Sequence, residues 1–145
     1  MLFSAALLVS LIAACRKTDS EHLSHNGETE SLNMGQNCMD CHYKGGPSEV
    51  RFHIAGTVYD STLLTPLPNG KVEFYDALSG GKLVLTLDVD GNGNYYTANS
   101  VNFGSGLYPR VVSPNGNTRS MGSATSNGEC ASCHGNTQPK IWVEN

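Results

Sequence analysis

The chain has 145 residues, which is enough for one domain with a single hydrophobic core. Its formal net charge of −4 argues against a nucleic-acid partner, which would call for a basic surface. Glycine is abundant, at 16 residues, and helix-favouring periodic segments are scarce, so the composition favours β structure with many turns.

The first 35 residues divide into an apolar run and a polar stretch. Residues 7–15 end in small residues and are too short for a membrane span of roughly 20 residues, which is typical of a signal-peptide core. No Lys or Arg precedes this run, although signal peptides usually begin with one. The run ends in Ile12-Ala13-Ala14-Cys15, which resembles a bacterial lipobox. That resemblance implies removal of residues 1–14 and lipidation of Cys15.

Residues 15–35 are predicted to be a flexible tether, because the stretch is polar and aperiodic. His22 and His25 lie in this stretch and are interpreted as solvated surface residues. The alternative for the N-terminus, a buried helix, is disfavoured by the polar run that starts at Arg16. The folded part is then predicted to be a single domain over residues 36–145.

The sequence CMDCH at residues 38–42, here called the first motif, carries the first functional signal. Two cysteines two residues apart, followed at once by a histidine, form the attachment signature of c-type haem. The spacing has a chemical reason, since two thiols reach the two vinyl groups on one porphyrin edge while the imidazole binds the iron. Cys38 and Cys41 are therefore predicted to hold a haem, with His42 as the proximal iron ligand.

Short β-rich segments separated by Gly, Pro and Asn turns follow the first motif. Strands are predicted at residues 51–60, 71–75, 83–87, 94–97, 107–113 and 118–121. In the first of them, alternation places Phe52, Ile54 and Val58 on one face. His53, Ala55, Thr57 and Tyr59 are placed on the other. This spacing predicts a mainly β fold, a small sandwich with its core at about residues 51–121.

Two features inside the predicted sandwich have structural interpretations. The run DVDGNG at residues 88–93 resembles the start of a calcium loop, but Asn99 stands where a bidentate Glu is needed, so a hairpin turn is favoured. The aromatic residues are interpreted as sheet or haem packing, and as a ligand-binding platform only in second place. They are Tyr95, Tyr96, Tyr108 and Trp142.

The sequence CASCH at residues 130–134, here called the second motif, repeats the whole signature. It predicts a second covalent haem on Cys130 and Cys133, with His134 as the proximal ligand. Three alternatives compete. A four-cysteine zinc site usually spaces its CxxC pairs about 15–20 residues apart, a thioredoxin-like CxxC needs a βαβ context, and a CxxC disulfide closes only a tiny loop. None of them explains a histidine after both pairs.

The segments IAGTVYD (54–60), PNGKVEF (68–74) and DGNGNY (90–95) resemble the carboxypeptidase regulatory-like domain, a transthyretin-like sandwich. The resemblance covers residues 52–113, and that family lacks haem. With CxxCH before and after the sandwich, the mature chain is similar to small di-haem cytochromes found in genomes of anaerobic, metal-respiring bacteria. This resemblance implies electron transfer in the cell envelope.

The second axial ligand of each iron decides between electron transfer and reactivity. His53 is predicted for the first haem, since it follows a glycine turn and lies off the apolar face of its strand. Met121 is predicted for the second haem, as the nearest candidate before Cys130, with His22 or His25 as the alternative. One haem would then be His/His and the other His/Met.

The sequence as a whole predicts an exported, lipid-anchored di-haem cytochrome on the periplasmic or outer-membrane side. Its predicted partners are other envelope redox proteins or a second copy of itself, with no nucleic acid. No catalytic Ser/His/Asp set or paired carboxylates stand out, so we expect an electron-transfer protein rather than an enzyme. The alternative is a haem-containing binding or sensing module whose sandwich recognises a sugar, protein or mineral surface.

Overall fold

A computed structural model describes residues 22–145, and the chain is mainly β. The predicted signal peptide and Cys15 lie outside the described residues. The strands are β1 (Ile54–Tyr59), β2 (Lys71–Tyr75), β3 (Leu83–Asp88), β4 (Asn94–Thr97), β5 (Tyr108–Val112), β6 (Thr118–Ser120), β7 (Gly128–Glu129) and β8 (Ile141–Trp142). The helical segments are a 3-10 turn at Cys38–Asp40 and the short helix α1 (Cys130–Cys133). No helix among residues 22–145 is long and apolar enough to cross a membrane.

The strands form two sheets, which confirms the predicted mainly β sandwich. Sheet 1 has the order β4-β1-β7, with β8 also paired to β1, and sheet 2 has the order β3-β2-β5-β6. All pairs in sheet 2 are antiparallel, whereas β7 and β8 both run parallel to β1. The end of the chain therefore returns to the strand with which the sandwich begins.

The hydrophobic core lies between the two sheets and draws residues from both. Phe74 and Ile54 are completely buried, and Tyr95 is 1% exposed. The rest of the cluster is Val58, Leu67, Val72, Leu87, Val89, Leu107, Val111 and Val143. Since β-branched and aromatic side chains fit a pleated, half-buried surface, the same segments that favour strands supply the core.

Strand β1 is buried on both faces, whereas the alternation of apolar and polar residues predicts one buried face. All six residues are buried, Ile54 and Val58 against the core and Thr57 beneath the N-terminal segment. The prediction for Phe52 was wrong, because its ring lies outside the core and stacks on His42. The chain bends at residue 53, so the alternation of β1 does not extend back to Phe52.

Residues 22–35 pack on the sandwich, where the sequence predicts a tether. Leu23 forms a bridge with Thr97, and the buried Ser24 donates its hydroxyl hydrogen to the Asp88 carbonyl at 2.6 Å. Further along, the Asp90 carboxylate accepts hydrogen bonds from the Ser31 hydroxyl and, at 2.9 Å, from the Asn94 amide. A buried carboxylate needs hydrogen-bond donors, and Ser31 supplies one of those of Asp90. The hairpin turn that contains Asp90 therefore holds the segment that leads into the first motif.

Candidate functional site

The first motif lies in the 3-10 turn, which its own side chains stabilise. Asn37 caps the turn by accepting a hydrogen bond from the Met39 amide at 3.2 Å, and its side-chain amide donates to Asp40 at 2.8 Å. Met39 is buried and anchors the turn to the fold. The His42 amide donates to the Cys38 carbonyl at 2.9 Å, which brings the histidine back over the first cysteine.

The His42 ring is fixed by a backbone carbonyl and by stacking. Its Nδ1 lies 2.8 Å from the Val50 carbonyl oxygen and 3.0 Å from the Ser48 hydroxyl. Because a carbonyl only accepts, Nδ1 carries the proton and Nε2 keeps its lone pair. The ring stacks on Phe52 with centroids 3.9 Å apart, and Phe52 stacks on Tyr96 at 4.8 Å. His42 is thus held in one tautomer and one orientation.

The second motif forms helix α1 and repeats this arrangement. The His134 amide donates to the Cys130 carbonyl at 3.0 Å, and the Cys133 carbonyl accepts from the Gln138 amide at 2.9 Å. His134 Nδ1 lies 2.7 Å from the Pro139 carbonyl oxygen. The same argument gives a protonated Nδ1 and a free Nε2 lone pair. Backbone carbonyls commonly fix metal-binding histidines in this tautomer.

The four thiols follow the same pattern in both motifs. Cys38 and Cys130 are partly buried, Cys41 and Cys133 are exposed, and all four are free. Burial raises the pKa of the Cys38 thiol and raises that of Cys130 to about 11. Both groups are therefore neutral thiols at pH 7. Among residues 22–145, no group of three or more His, Cys, Asp or Glu side chains is placed to hold a metal ion.

The two motifs lie side by side on β1. The Gly35 amide, just before the first motif, donates to the Thr57 hydroxyl at 2.9 Å. Gly128, just before the second motif, pairs with Ile54 on the same strand. Segments from both ends of the chain line one cavity of about 50 Å³. Its lining is Gly35, Thr57, Tyr59, Ala131, His134, Gly135, Lys140 and Ile141.

Tyr95 is a buried core residue near the first cysteine of each motif. Its side chain is buried in the core, and its hydroxyl lies over Gly56 of β1, where an added Cβ would be 2.5 Å away. Burial raises the pKa of Tyr95 well above its ordinary value, and the nearby Cys130 and Cys38 contribute. The first cysteines of the two motifs are thus within electrostatic reach of one tyrosine.

The predicted distal ligands occupy different parts of the fold. His53 directly precedes β1, next to the first motif, and its amide donates to the Thr97 carbonyl at 2.7 Å. Burial, followed by the charge of Arg51, lowers the pKa of His53, which favours the neutral imidazole. Met121 follows β6 in sheet 2, partly buried, and its amide donates to the Pro109 carbonyl at 2.9 Å. Ligation by either residue stays a prediction.

The two N-terminal histidines have contacts of their own. The His22 carbonyl accepts a hydrogen bond from the Ala98 amide at 2.9 Å. His25 Nδ1 lies 4.0 Å from the Asp88 carboxylate, with the His25 side chain 55% exposed. His22 therefore lies beside the end of β4 in sheet 1, and His25 beside the end of β3 in sheet 2.

A larger cavity, of about 250 Å³, lies on sheet 2. Arg110 and Tyr75 line it, and the Arg110 guanidinium lies over the Tyr75 ring, 4.6 Å from its centroid. The remaining lining is Ala77, Leu78, Gly80, Gly81, Tyr108, Pro109 and Ser120. Trp142, by contrast, lies under Arg119, whose guanidinium carbon is 3.7 Å from the ring centroid. Of the four aromatic residues noted in the sequence, Tyr108 lines this cavity.

No protein-family model, curated protein or solved structure matches this chain at a significant level. Its function therefore has to be inferred from its own residues and their geometry.

Several residues that build the site escape sequence reasoning. The carbonyls of Val50 and Pro139 orient the two histidines, and a carbonyl has no sequence signature. Tyr95 belongs to an ordinary strand pattern, although a tyrosine that is buried needs a partner for its hydroxyl. Asp90 does carry a signal, since an Asp at the start of a Gly/Asn turn usually accepts from the backbone.

Proposed function

We propose that the chain is a di-haem c-type cytochrome of the bacterial cell envelope that transfers single electrons. The observation that carries this proposal is the matched orientation of two histidines. In both motifs Nδ1 lies within 2.8 Å of a backbone carbonyl oxygen, from Val50 for His42 and from Pro139 for His134. Nε2 is then the nitrogen available for iron in each ring.

The donor set also fits covalent haem. A protein-bound haem c supplies a one-electron iron couple held by two thioethers and a proximal histidine. Each motif offers two free thiols, one partly buried and one exposed, beside such a histidine. Cys38, Cys41, Cys130 and Cys133 would carry the thioethers, and His42 and His134 would bind iron as neutral imidazoles.

The surface beside the first motif suits a large apolar group. Leu32 is 74% exposed, Met34 47% and Tyr43 50%, and all three flank residues 38–42 in the sequence. Covering exposed apolar side chains with a large apolar group is favourable. A porphyrin attached to Cys38 and Cys41 would cover such side chains and reduce the exposed apolar surface.

The decisive experiment is an alkaline pyridine spectrum of the full chain, expressed with a signal peptide in a host that matures cytochromes c and normalised to chain concentration. We expect two covalently bound haems per chain. Replacing both cysteines of one motif by serine should reduce the value to one. A colourless protein, or a haem content that these substitutions do not change, would contradict the proposal.

The distal ligands are testable on the same material. His53→Ala should change the spectrum and potential of one haem, while Met121→Ala should abolish a near-infrared band from methionine-to-iron ligation. His25→Ala tests the alternative ligand of the second haem: it should leave both haems unchanged if Met121 is the ligand, and a changed second haem would favour His25 instead. Unchanged spectra and potentials in His53→Ala would remove this residue from the ligand set.

A binding or sensing module is the second candidate, and the cavity on sheet 2 favours it. That cavity offers two tyrosines and Arg110 on the sheet that does not carry the motifs. Carbon monoxide separates the two functions, because two six-coordinate haems should resist it and a five-coordinate haem should bind it. We place electron transfer first and propose other envelope redox proteins or a second copy as its partners.

Location in the envelope belongs to the same proposal. Haem c is attached outside the bacterial cytoplasmic membrane, so export and the two motifs support each other. Cys15, which lies outside the described residues, would carry the lipid anchor. Mass spectrometry of the mature protein should find a lipidated N-terminal Cys15, and an intact Met1 would contradict the assignment.

A further inference from the structure

The fold brings the two attachment segments to neighbouring positions on one strand. Gly35 is bonded to Thr57, and Gly128 is paired with Ile54, three residues away on β1. At about 3.3 Å per residue, these contacts are roughly 10 Å apart along the strand. Cys38 follows Gly35 by three residues and Cys130 follows Gly128 by two. Gly35 and His134 also line one small cavity.

We propose that the two haems are neighbours that interact directly, with Tyr95 and β1 as the support that their attachment sites share. This inference rests on the proposed function and goes beyond it, since a di-haem protein with haems at opposite ends would transfer electrons equally well to separate partners. The thioether bonds hold each porphyrin edge next to its cysteine sulfurs. Because Cys38 and Cys130 are neighbours, the porphyrin edges bonded to them should be neighbours as well.

Tyr95 is the positioning residue of this arrangement. It is 1% exposed, its ring belongs to the core, and its hydroxyl lies over Gly56 of β1, 2.5 Å from where a Cβ would stand. Gly56 lies between Ile54 and Thr57, the two residues of β1 to which the attachment segments are bound. A change at the Tyr95 hydroxyl should therefore be felt at the junction between the two sites.

Two physical consequences follow for neighbouring haems. Two unpaired electrons close together broaden or split each other's magnetic resonance lines. Reducing one iron also removes a positive charge beside the other, which lowers the second potential. The reduction curve of the pair should then be wider than the sum of two independent curves.

The test is electron paramagnetic resonance of the fully oxidised holoprotein, compared with two variants that keep one haem each. These are Cys38→Ser/Cys41→Ser and Cys130→Ser/Cys133→Ser. We expect the di-haem spectrum to be broadened relative to the sum of the two single-haem spectra, and the redox titration to be wider than their sum. Spectra and titrations that equal the sums would overturn the inference while leaving two haems per chain, and hence the proposed function, intact.

A second measurement needs no cysteine variant. Wild-type protein poised at half reduction should show a narrower remaining ferric signal than the fully oxidised sample, and an unchanged line width would overturn the inference. The assignment of Tyr95 is tested by Tyr95→Phe against Tyr96→Phe, with two haems verified in each. The coupling between the two haems, measured by line broadening and by the width of the redox titration, should change in Tyr95→Phe only. Equal coupling in both variants would remove Tyr95 from the junction.

Discussion

Glu73 is a nearly buried carboxylate on a strand of sheet 2, beside the larger cavity. Its residue is 6% exposed, and its carboxylate accepts hydrogen bonds from Arg110 at 2.6 Å and from the Tyr75 hydroxyl at 2.7 Å. Lys71 lies 3.0 Å away on the same strand. Burial by itself raises the pKa of the carboxyl group, but these donors outweigh it and hold the pKa at about 2.

This pKa predicts a loss of stability in acid. A carboxyl group whose pKa is lower in the folded than in the unfolded chain stabilises the fold above its ordinary pKa of 4.5. The free energy of unfolding should therefore fall as the pH drops from about 4.5 toward about 2. Glu73→Gln should lower it by about 1–3 kcal/mol at pH 7 and flatten its acid dependence. Urea unfolding at pH 7 and pH 3 measures both effects.

The exposed Glu144 provides the control for this prediction. Glu144→Gln should stay within about 0.5 kcal/mol of wild type at pH 7. If the free energy of unfolding falls as steeply with acid in Glu73→Gln as in wild type, carboxyl groups other than Glu73 cause the loss of stability.

At the scale of residues, the sequence identified the groups with a covalent signature and missed their supports. Four cysteines and two histidines stand out because they repeat the CxxCH spacing that is the attachment signature of c-type haem. The tertiary structure alone selects the carbonyls of Val50 and Pro139, because these residues lie eight and five positions after their histidines. Because the two carbonyls lie at different distances along the chain from their histidines, no repeated sequence pattern marks them.

Strand β7 joins the second motif to the sandwich through a very close backbone contact. A Cβ atom added at Gly128 would lie 2.0 Å from the His53 carbonyl oxygen and 2.5 Å from Ile54 Cα. Both are backbone atoms, so neither can rotate away. Gly128→Ala should therefore destabilise the protein by about 2–3 kcal/mol or more and disturb the pairing that precedes Cys130.

Gly122→Ala is the matched control for this contact, because a Cβ there would meet no atom within 4 Å. Its free energy of unfolding should stay within about 1 kcal/mol of wild type. Denaturant unfolding of both variants and their haem content test the pair. Equal stability of the two would mean that β7 can move away from β1 without loss.

At the scale of elements, strands β1 to β6 follow from residue type and turn signals, and their predicted bounds agree with the structure within three residues. Strands β7 and β8 were missed because two residues carry no periodicity. Residues 22–35 were predicted as a tether because polar segments usually stay solvated. In the structure the hydroxyls of Ser24 and Ser31 form hydrogen bonds with the sandwich. The polar side chains of this segment therefore attach it to the sandwich.

The whole molecule is organised so that its two ends and its sandwich share β1. The N-terminal segment bonds to Thr57, β4 pairs with one edge of β1, and β7 and β8 pair with the other. Val143, two residues from the end of the chain, is buried in the core at 1% exposure. The C-terminal segment therefore cannot detach without exposing core surface.

This shared strand predicts a single cooperative unfolding transition for the whole described chain. Trp142, the one tryptophan of the sequence, reports on it, because it lies on β8 of sheet 1 and stacks with Arg119 of β6 in sheet 2. Its fluorescence and the far-UV circular dichroism should change with the same midpoint in urea. A fluorescence change at lower urea would instead mean that the C-terminal segment unfolds before the sandwich. The second motif would then lie on a separable segment that can move relative to the first motif.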